Sequence, residues 1–231
     1  MSAPPLAARP LHAWDLAPAA ARAVQRQLAA LVETRDRLGE VHRVAGVDVA
    51  FPRRADGRMA RAAAVLLGFP DLVPLAAHAI EEPVRYPYIP GLLSFREAPA
   101  ILRALEQLPV APDLLLVDGQ GRAHPRRFGI ACHLGVLLDR PAIGCAKSRL
   151  VGAYEEPPPV AGAWTPLRDG DEVIGAVVRT RPRARPLFVS VGHRVSLETA
   201  VALVLACCRG HRLPEPVRRA DALTRQLAPP L

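Results

Sequence analysis

The sequence predicts an α/β domain built on a mixed β-sheet with helices on its faces. Three observations carry that prediction. VHRVAGVDVAF alternates, is rich in Val, and is followed over short connections by two more strand-like stretches, which implies an antiparallel meander. Helical and strand-like patterns then alternate along the rest of the chain. Within that second half, the apolar run Leu114 to Val117 reads as a buried strand that delivers Asp118 into a glycine-rich loop. At 231 residues one core suffices, so a single domain over 1–231 is expected, with residues 1–16 as a flexible N-terminal extension.

The elements follow in order. Pro18 opens an Ala-rich helix over Ala19 to Asp36, with Ala21, Val24, Leu28, Leu31 and Val32 at helical spacing. A strand runs from Arg43 to Phe51, a turn at Asp56-Gly57 leads to ARAAAVLLGF, and DLVPLAAHAI forms a third strand. Pro87, Pro90 and Gly91 keep the next segment irregular. A helix starts after Ser94 and ends near Leu108. The Asp118 strand is followed by a helix over Gly129 to Leu138 and a buried strand in PAIGCAK. Glu155 to Trp164 reads as a long surface loop, EVIGAVVRT and PLFVSVG as strands, and SLETAVALVLACCR as a helix capped by Ser196. A last helix covers Glu215 to Gln226.

No run approaches the roughly 20 apolar residues of a membrane span, and the N-terminus lacks the order of a secretory signal. The four cysteines fit neither a metal-site spacing nor a disulfide scaffold, so they are expected to be reduced in a soluble, cytoplasmic, monomeric protein. The 30 Lys+Arg outnumber the 22 Asp+Glu, a formal net charge of +8 that favours polyanionic partners. Nearly all these cations are Arg, and Lys147 is the sole lysine, which marks it as a place that wants a compact point charge.

Asp48 lies inside an apolar strand, where burial requires donors or a cation. Asp118 at another strand end has the same need, and two such carboxylates on neighbouring strands would suit Mg²⁺ or Mn²⁺. Ser94-x-x-Glu97 matches a helix capping box, and Asp221 reads as a solvated helix residue. Tyr88, held between Pro87 and Pro90, is either an aromatic plug over the core or a wedge for a base stack. His124 is a loop hydrogen-bonder or a proton-transfer group. Lys147 either ends its strand or contacts a phosphate, and His133 and His193 read as structural.

GVDVAF, YPYIPGLLSFREAP, DGQGRAHPRRFGIACHLG and IGCAKSRL resemble, in this order, the signatures of the endonuclease V family of DNA repair nucleases. GHRVS and RLPEPVRRAD are similar to it as well, so the resemblance covers roughly Ala19 to Leu227. It implies a ribonuclease H-like fold, three antiparallel strands followed by parallel ones. It also implies hydrolysis of the second phosphodiester 3′ to a deoxyinosine, leaving a 3′-hydroxyl and a 5′-phosphate. By motif position the family's metal-site carboxylates fall on Asp48, Asp118 and Glu97, with a fourth position on Asp221; this displaces the purely capping role for Glu97. His124 and Lys147 match positions near the scissile phosphate. Tyr88, with Pro87, Ile89 and Pro90 around it, matches the wedge that replaces the displaced base. Gly119 and Gly121 would approach that base, and Arg126 and Arg127 would contact DNA. Cys132 departs from the family's usual Ser. Cleavage of inosine-containing RNA, and binding of damaged nucleic acid without catalysis, remain the alternatives.

Overall fold

The computed structural model describes residues 6–52 and 59–226. The turn expected at Asp56-Gly57 lies outside them. α1 (Pro18–Ala29) precedes β1 (Arg43–Ala50), β2 (Met59–Gly68) and β3 (Pro74–Pro83), and these three strands form the expected antiparallel meander. α2 (Leu93–Glu106) crosses to β4 (Leu114–Val117), which pairs with β1 in parallel. α3 (Ile130–Leu138) then leads to β5 (Ala142–Ala146), parallel to β4. β6 (Trp164–Asp169), β7 (Glu172–Val178) and β8 (Leu187–His193) add an antiparallel extension through β8 on β5, and α4 (Leu197–Ala206) and α5 (Glu215–Gln226) follow. The strand order is β3-β2-β1-β4-β5-β8-β7-β6, the ribonuclease H-like mixed sheet with its parallel strands at the centre.

Two-residue periodicity divides the core. Ala45, Val47, Leu115 and Val117 face α2 and α3, whereas Val44, Leu114, Leu116 and Ile143 face α4 and α5. Each fully buried leucine in these layers contributes about 1.5–3 kcal/mol. Gly46 allows α5 to lie against β1, because a Cβ there would stand 2.0 Å from the Pro216 carbonyl carbon. Among the described residues no helix is long and apolar enough to cross a membrane.

Three sequence expectations are corrected. From Leu6 onward the N-terminal segment is packed rather than free. Leu6 is buried, the Arg9 amide donates to the Leu137 carbonyl (2.8 Å), and Trp14 stands edge-on to Phe95. α1 stops at Ala29, short of Asp36, because the Glu33 backbone is engaged instead by His193 Nδ1 and the Arg194 amide. Ser94 is not a cap: α2 already begins at Leu93, and the Ser94 hydroxyl meets His133 Nδ1 at 2.9 Å. The loop expected from Glu155 to Trp164 is present, and the strand β6 that follows it was not expected; it tolerates Pro166 because it lies at the sheet edge. Ser196 does cap α4, accepting from the Thr199 amide. Cys132, Cys145, Cys207 and Cys208 are all free thiols.

Candidate active site

The parallel register of β1 and β4 pairs Val47 with Val117, so the next residue on each strand is an aspartate. The Asp118 amide donates to the Val47 carbonyl (3.1 Å), which holds Asp48 and Asp118 side by side at the carboxyl ends of neighbouring strands. α5, lying close over Gly46, adds Asp221. Asp48, Asp118 and Asp221 each offer an oxygen within 4.8 Å of the others. One turn on, the buried Thr224 hydroxyl donates to the Asp221 carbonyl at 2.8 Å and lies 3.3 Å from Asp48 Oδ2. Lys147, just past β5, places Nζ 2.5 Å from Asp118 Oδ2 and 2.9 Å from Asp221 Oδ1, with 40% of its side chain open to solvent.

Glu97 reaches this group from α2, on the other layer, and is buried. It is close enough to feel the charges of Asp48 and Asp118 but stands outside the 4.8 Å set. The structure thus reverses the expected order, bringing Asp221 into the closest trio and leaving Glu97 beside it.

Burial, then the neighbouring Asp118, pushes the Asp48 carboxyl up to about 7, against the pull of Lys147. Burial followed by the charges of Asp48 and Asp118 pushes Glu97 up to about 8. For Asp221 burial works the other way from its partners, and Lys147 and Arg225 hold it below the usual carboxylate range. The donor set consists of hard oxygens, close together and short of positive charge, which fits Mg²⁺ or Mn²⁺.

A pH dependence follows. Asp48 and Glu97 have folded values above their unfolded ones, so their stabilising contribution is full below about pH 4 and fades as pH rises through 7 and 8. Without divalent cations the protein is expected to melt at steadily lower temperature between about pH 5 and pH 8.5, and Mg²⁺ to restore more at the upper end. Thermal melts with and without EDTA check this; a slope equally steep in Glu97→Gln would rule out Glu97 as a source.

The remaining expected residues divide. Tyr88 is 70% exposed, flanked by Pro87, Ile89 and Pro90, at the rim of a cavity of about 130 Å³ that Leu93, Ile130 and Leu150 also line. His124 is held by two internal hydrogen bonds. Its Nε2–H donates to the Gly91 carbonyl (3.1 Å), its Nδ1 accepts from the Arg126 amide (3.2 Å), and burial pushes it down to about 4, so it is neutral. Arg126 and Arg127 are both engaged within the protein. Arg126 Nε donates to Gln25 Oε1 (2.6 Å), and Arg127 pairs with Glu172 and Asp169 at 2.8 Å each. Gly121 is likewise taken, its amide donating to Ser190 Oγ and its carbonyl accepting from Gly129; Gly119 stays half-buried beside Ile130. At the unusual Cys132, the thiol donates to the Val191 carbonyl (3.5 Å), so a donor is retained where the family has a hydroxyl.

Two residues were missed. Thr224 follows Asp221 by three positions, on the same helix face. Gln25 is the one polar residue in the buried stripe Ala21, Gln25, Leu28 of α1, and a polar residue on a core-facing stripe is the signal that was available.

The family model described as Endonuclease V matches residues 26–222. The Endonuclease V of Roseiflexus castenholzii is 55% identical over 215 residues, covering 93% of this chain and 95% of that protein. The crystal structure of the Endonuclease V of Streptomyces avermitilis superposes with a TM-score of 0.87 at 43% identity, covering 95% of this chain and 96% of that one. That of the Ciona intestinalis Endonuclease V, in complex with a 24mer DNA containing an inosine followed by a ribo-adenosine, superposes with a TM-score of 0.77 at 29% identity, covering 90% and 96%. With carboxylates on β1, β4 and α5 around a lysine, and with this likeness over nearly its whole length, the chain belongs to the Endonuclease V family of nucleases.

Proposed function

We propose that the protein nicks DNA near deoxyinosine, hydrolysing the second phosphodiester bond 3′ to the lesion and leaving a 3′-hydroxyl and a 5′-phosphate. The observation that carries this reading is the Asp48–Asp118–Asp221 trio with Lys147. Asp48 and Asp118 would hold Mg²⁺, or Mn²⁺ in its place, with Asp221 beside them and Glu97 in reserve for a second ion. The ion would supply charge neutralisation at the phosphate and an acidified water.

The chain's own residues do the rest. Lys147, half open to solvent, binds a phosphate oxygen as a point charge, a contact that strengthens as charge builds up in the transition state. Thr224, within 3.3 Å of Asp48 Oδ2, bounds the space that the Asp48 carboxylate can occupy. Tyr88, rigid between prolines, enters the gap in the base stack, and the adjoining apolar cavity receives the displaced base. Hypoxanthine pairs weakly, so extruding it costs less than extruding a normal base, which contributes to selectivity. The Ciona intestinalis complex with inosine-containing DNA supports inosine as the recognised base here.

A nicking assay on a duplex with one deoxyinosine tests the reading. A single Mg²⁺-dependent nick at the second bond 3′ to the lesion, abolished by EDTA, is expected. Binding without any nick in Mg²⁺ or Mn²⁺ overturns it in favour of a non-catalytic binder. The ribo-adenosine after the inosine in the Ciona ligand also favours a second reading, cleavage of inosine-containing RNA. Matched DNA and RNA oligonucleotides assayed side by side separate the two.

A further inference from the structure

Six side-chain hydrogen bonds tie the Tyr88 segment and its neighbours together. Gln25 is 1% exposed in α1. Its Nε2 donates to the Gly91 carbonyl (3.0 Å) and the Phe128 carbonyl (3.3 Å), and its Oε1 accepts from Arg126 Nε (2.6 Å). The Gly91 carbonyl also receives His124 Nε2 (3.1 Å) and Arg126 Nη2 (2.5 Å), so three donors converge on one oxygen. Gly91 turns that oxygen inward from a backbone at φ +77°, where a Cβ would stand 2.7 Å from Arg126 Nη2. At the other end of the segment, Arg96 Nη1 donates to the Tyr86 carbonyl at 3.0 Å. Between these anchors lie only Pro87, Tyr88, Ile89 and Pro90.

We propose that Gln25 is a positioning residue for lesion capture: its buried amide locks the Tyr88 loop to the loop that Asp118 begins, so that the wedge stands pre-aimed over the cavity. The assignment rests on the deoxyinosine reading above. Only a carboxamide supplies two donors and an acceptor at one point, which is what joining Gly91, Phe128 and Arg126 requires. Glutamate would keep Arg126 and lose both carbonyls; leucine would lose all three. A loop already in its working conformation needs no ordering when DNA arrives, and the benefit is largest where a stacked base must be prised out. In a single strand the lesion base is already accessible, so a loosened wedge matters less. His124 and Arg126 belong to the same lock, which explains why both face into the protein.

The test compares wild type, Gln25→Leu, Gln25→Glu and Tyr88→Ala on one deoxyinosine in matched duplex and single-stranded oligonucleotides with Mg²⁺. Gln25→Leu is expected to lower kcat/KM on the duplex by about tenfold or more, and several-fold less on the single strand. Because Gln25 acts through Tyr88, the Gln25→Leu/Tyr88→Ala double variant should lose little beyond Tyr88→Ala alone. Equal losses on the two substrates, or multiplicative losses in the double variant, overturn the proposal. Hydrogen exchange adds a readout independent of activity: amides of 86–93 and 124–130 should exchange faster in the Gln25 variants while the sheet stays protected. Unchanged exchange in those segments overturns it as well. If Gln25→Leu fails to fold, Gln25→Glu carries the same comparison, since it keeps the Arg126 partner. Should wild type nick neither substrate, the deoxyinosine reading fails, and exchange alone decides whether the lock exists.

Discussion

Replacing Asp118 with alanine is expected to lower kcat for nicking by about 10³-fold or more, on the order of 4 kcal/mol of transition-state stabilisation, while the chain stays folded. The loss is large because Asp118 touches both sides of the site. It shares the trio with Asp48 and Asp221, and its Oδ2 is the nearer of the two oxygens that hold Lys147. Without it, the donor set drops to two aspartates and the ammonium turns wholly toward Asp221. The fold should not suffer. Asp118 is one of the charges that raise Asp48 and Glu97, so its removal relieves repulsion among buried carboxylates. A melting temperature at or above that of wild type without metal, together with lost activity, is the expected pair of results. Full Mg²⁺-dependent nicking in the variant would sink the assignment.

Gly46→Ala should damage fold and activity together. The added Cβ would fall 2.0 Å from the Pro216 carbonyl carbon and 2.5 Å from the Val217 amide nitrogen. These are backbone atoms, so no rotamer change can make room and α5 must move off the sheet. Overpacking of this kind costs about 2–3 kcal/mol, hence a melting temperature lower by roughly 5–10 °C. The displaced helix carries Asp221 and Thr224 away from Asp48, and a shift of about an ångström at such a site lowers activity by roughly 10²-fold. Gly39→Ala, with nothing within 4 Å of the new methyl group, is the matched control. A Gly46→Ala protein that melts and nicks like wild type would show that α5 does not complete the site.

What the sequence made legible is what local pattern determines. The Val-rich alternation located β1, and the one acidic residue on that strand proved to be Asp48. The apolar run before Asp118 located β4, and Ser196 located the start of α4. The failures share a cause, which is that distant partners decided between two locally sound readings. Ser94-x-x-Glu97 satisfies the capping pattern, yet His133 took the hydroxyl and Glu97 is buried beside the aspartates despite their charge. Arg127 follows a loop aspartate as a phosphate contact would, but its acidic partners sit about the β6–β7 hairpin. Half of that hairpin was hidden because Pro166 reads as a loop former anywhere except at a sheet edge. The trio itself was accessible only through the family resemblance, since spacing along the chain does not say which strands lie side by side.

The contact between Thr224 and Asp48 spans 176 residues of sequence, from the last described helix back to the first strand. A nuclease assembled this way has an order of construction as well as a shape. During synthesis, β1 and β4 leave the ribosome while α5 is still unmade, so the emerging polypeptide has two aspartates and nothing to complete or orient them. The carboxylate cluster is therefore completed last, after the strands and the other helices have been made. A translation product that stops before Glu215 lacks both Asp221 and Thr224, and so the third carboxylate of the trio.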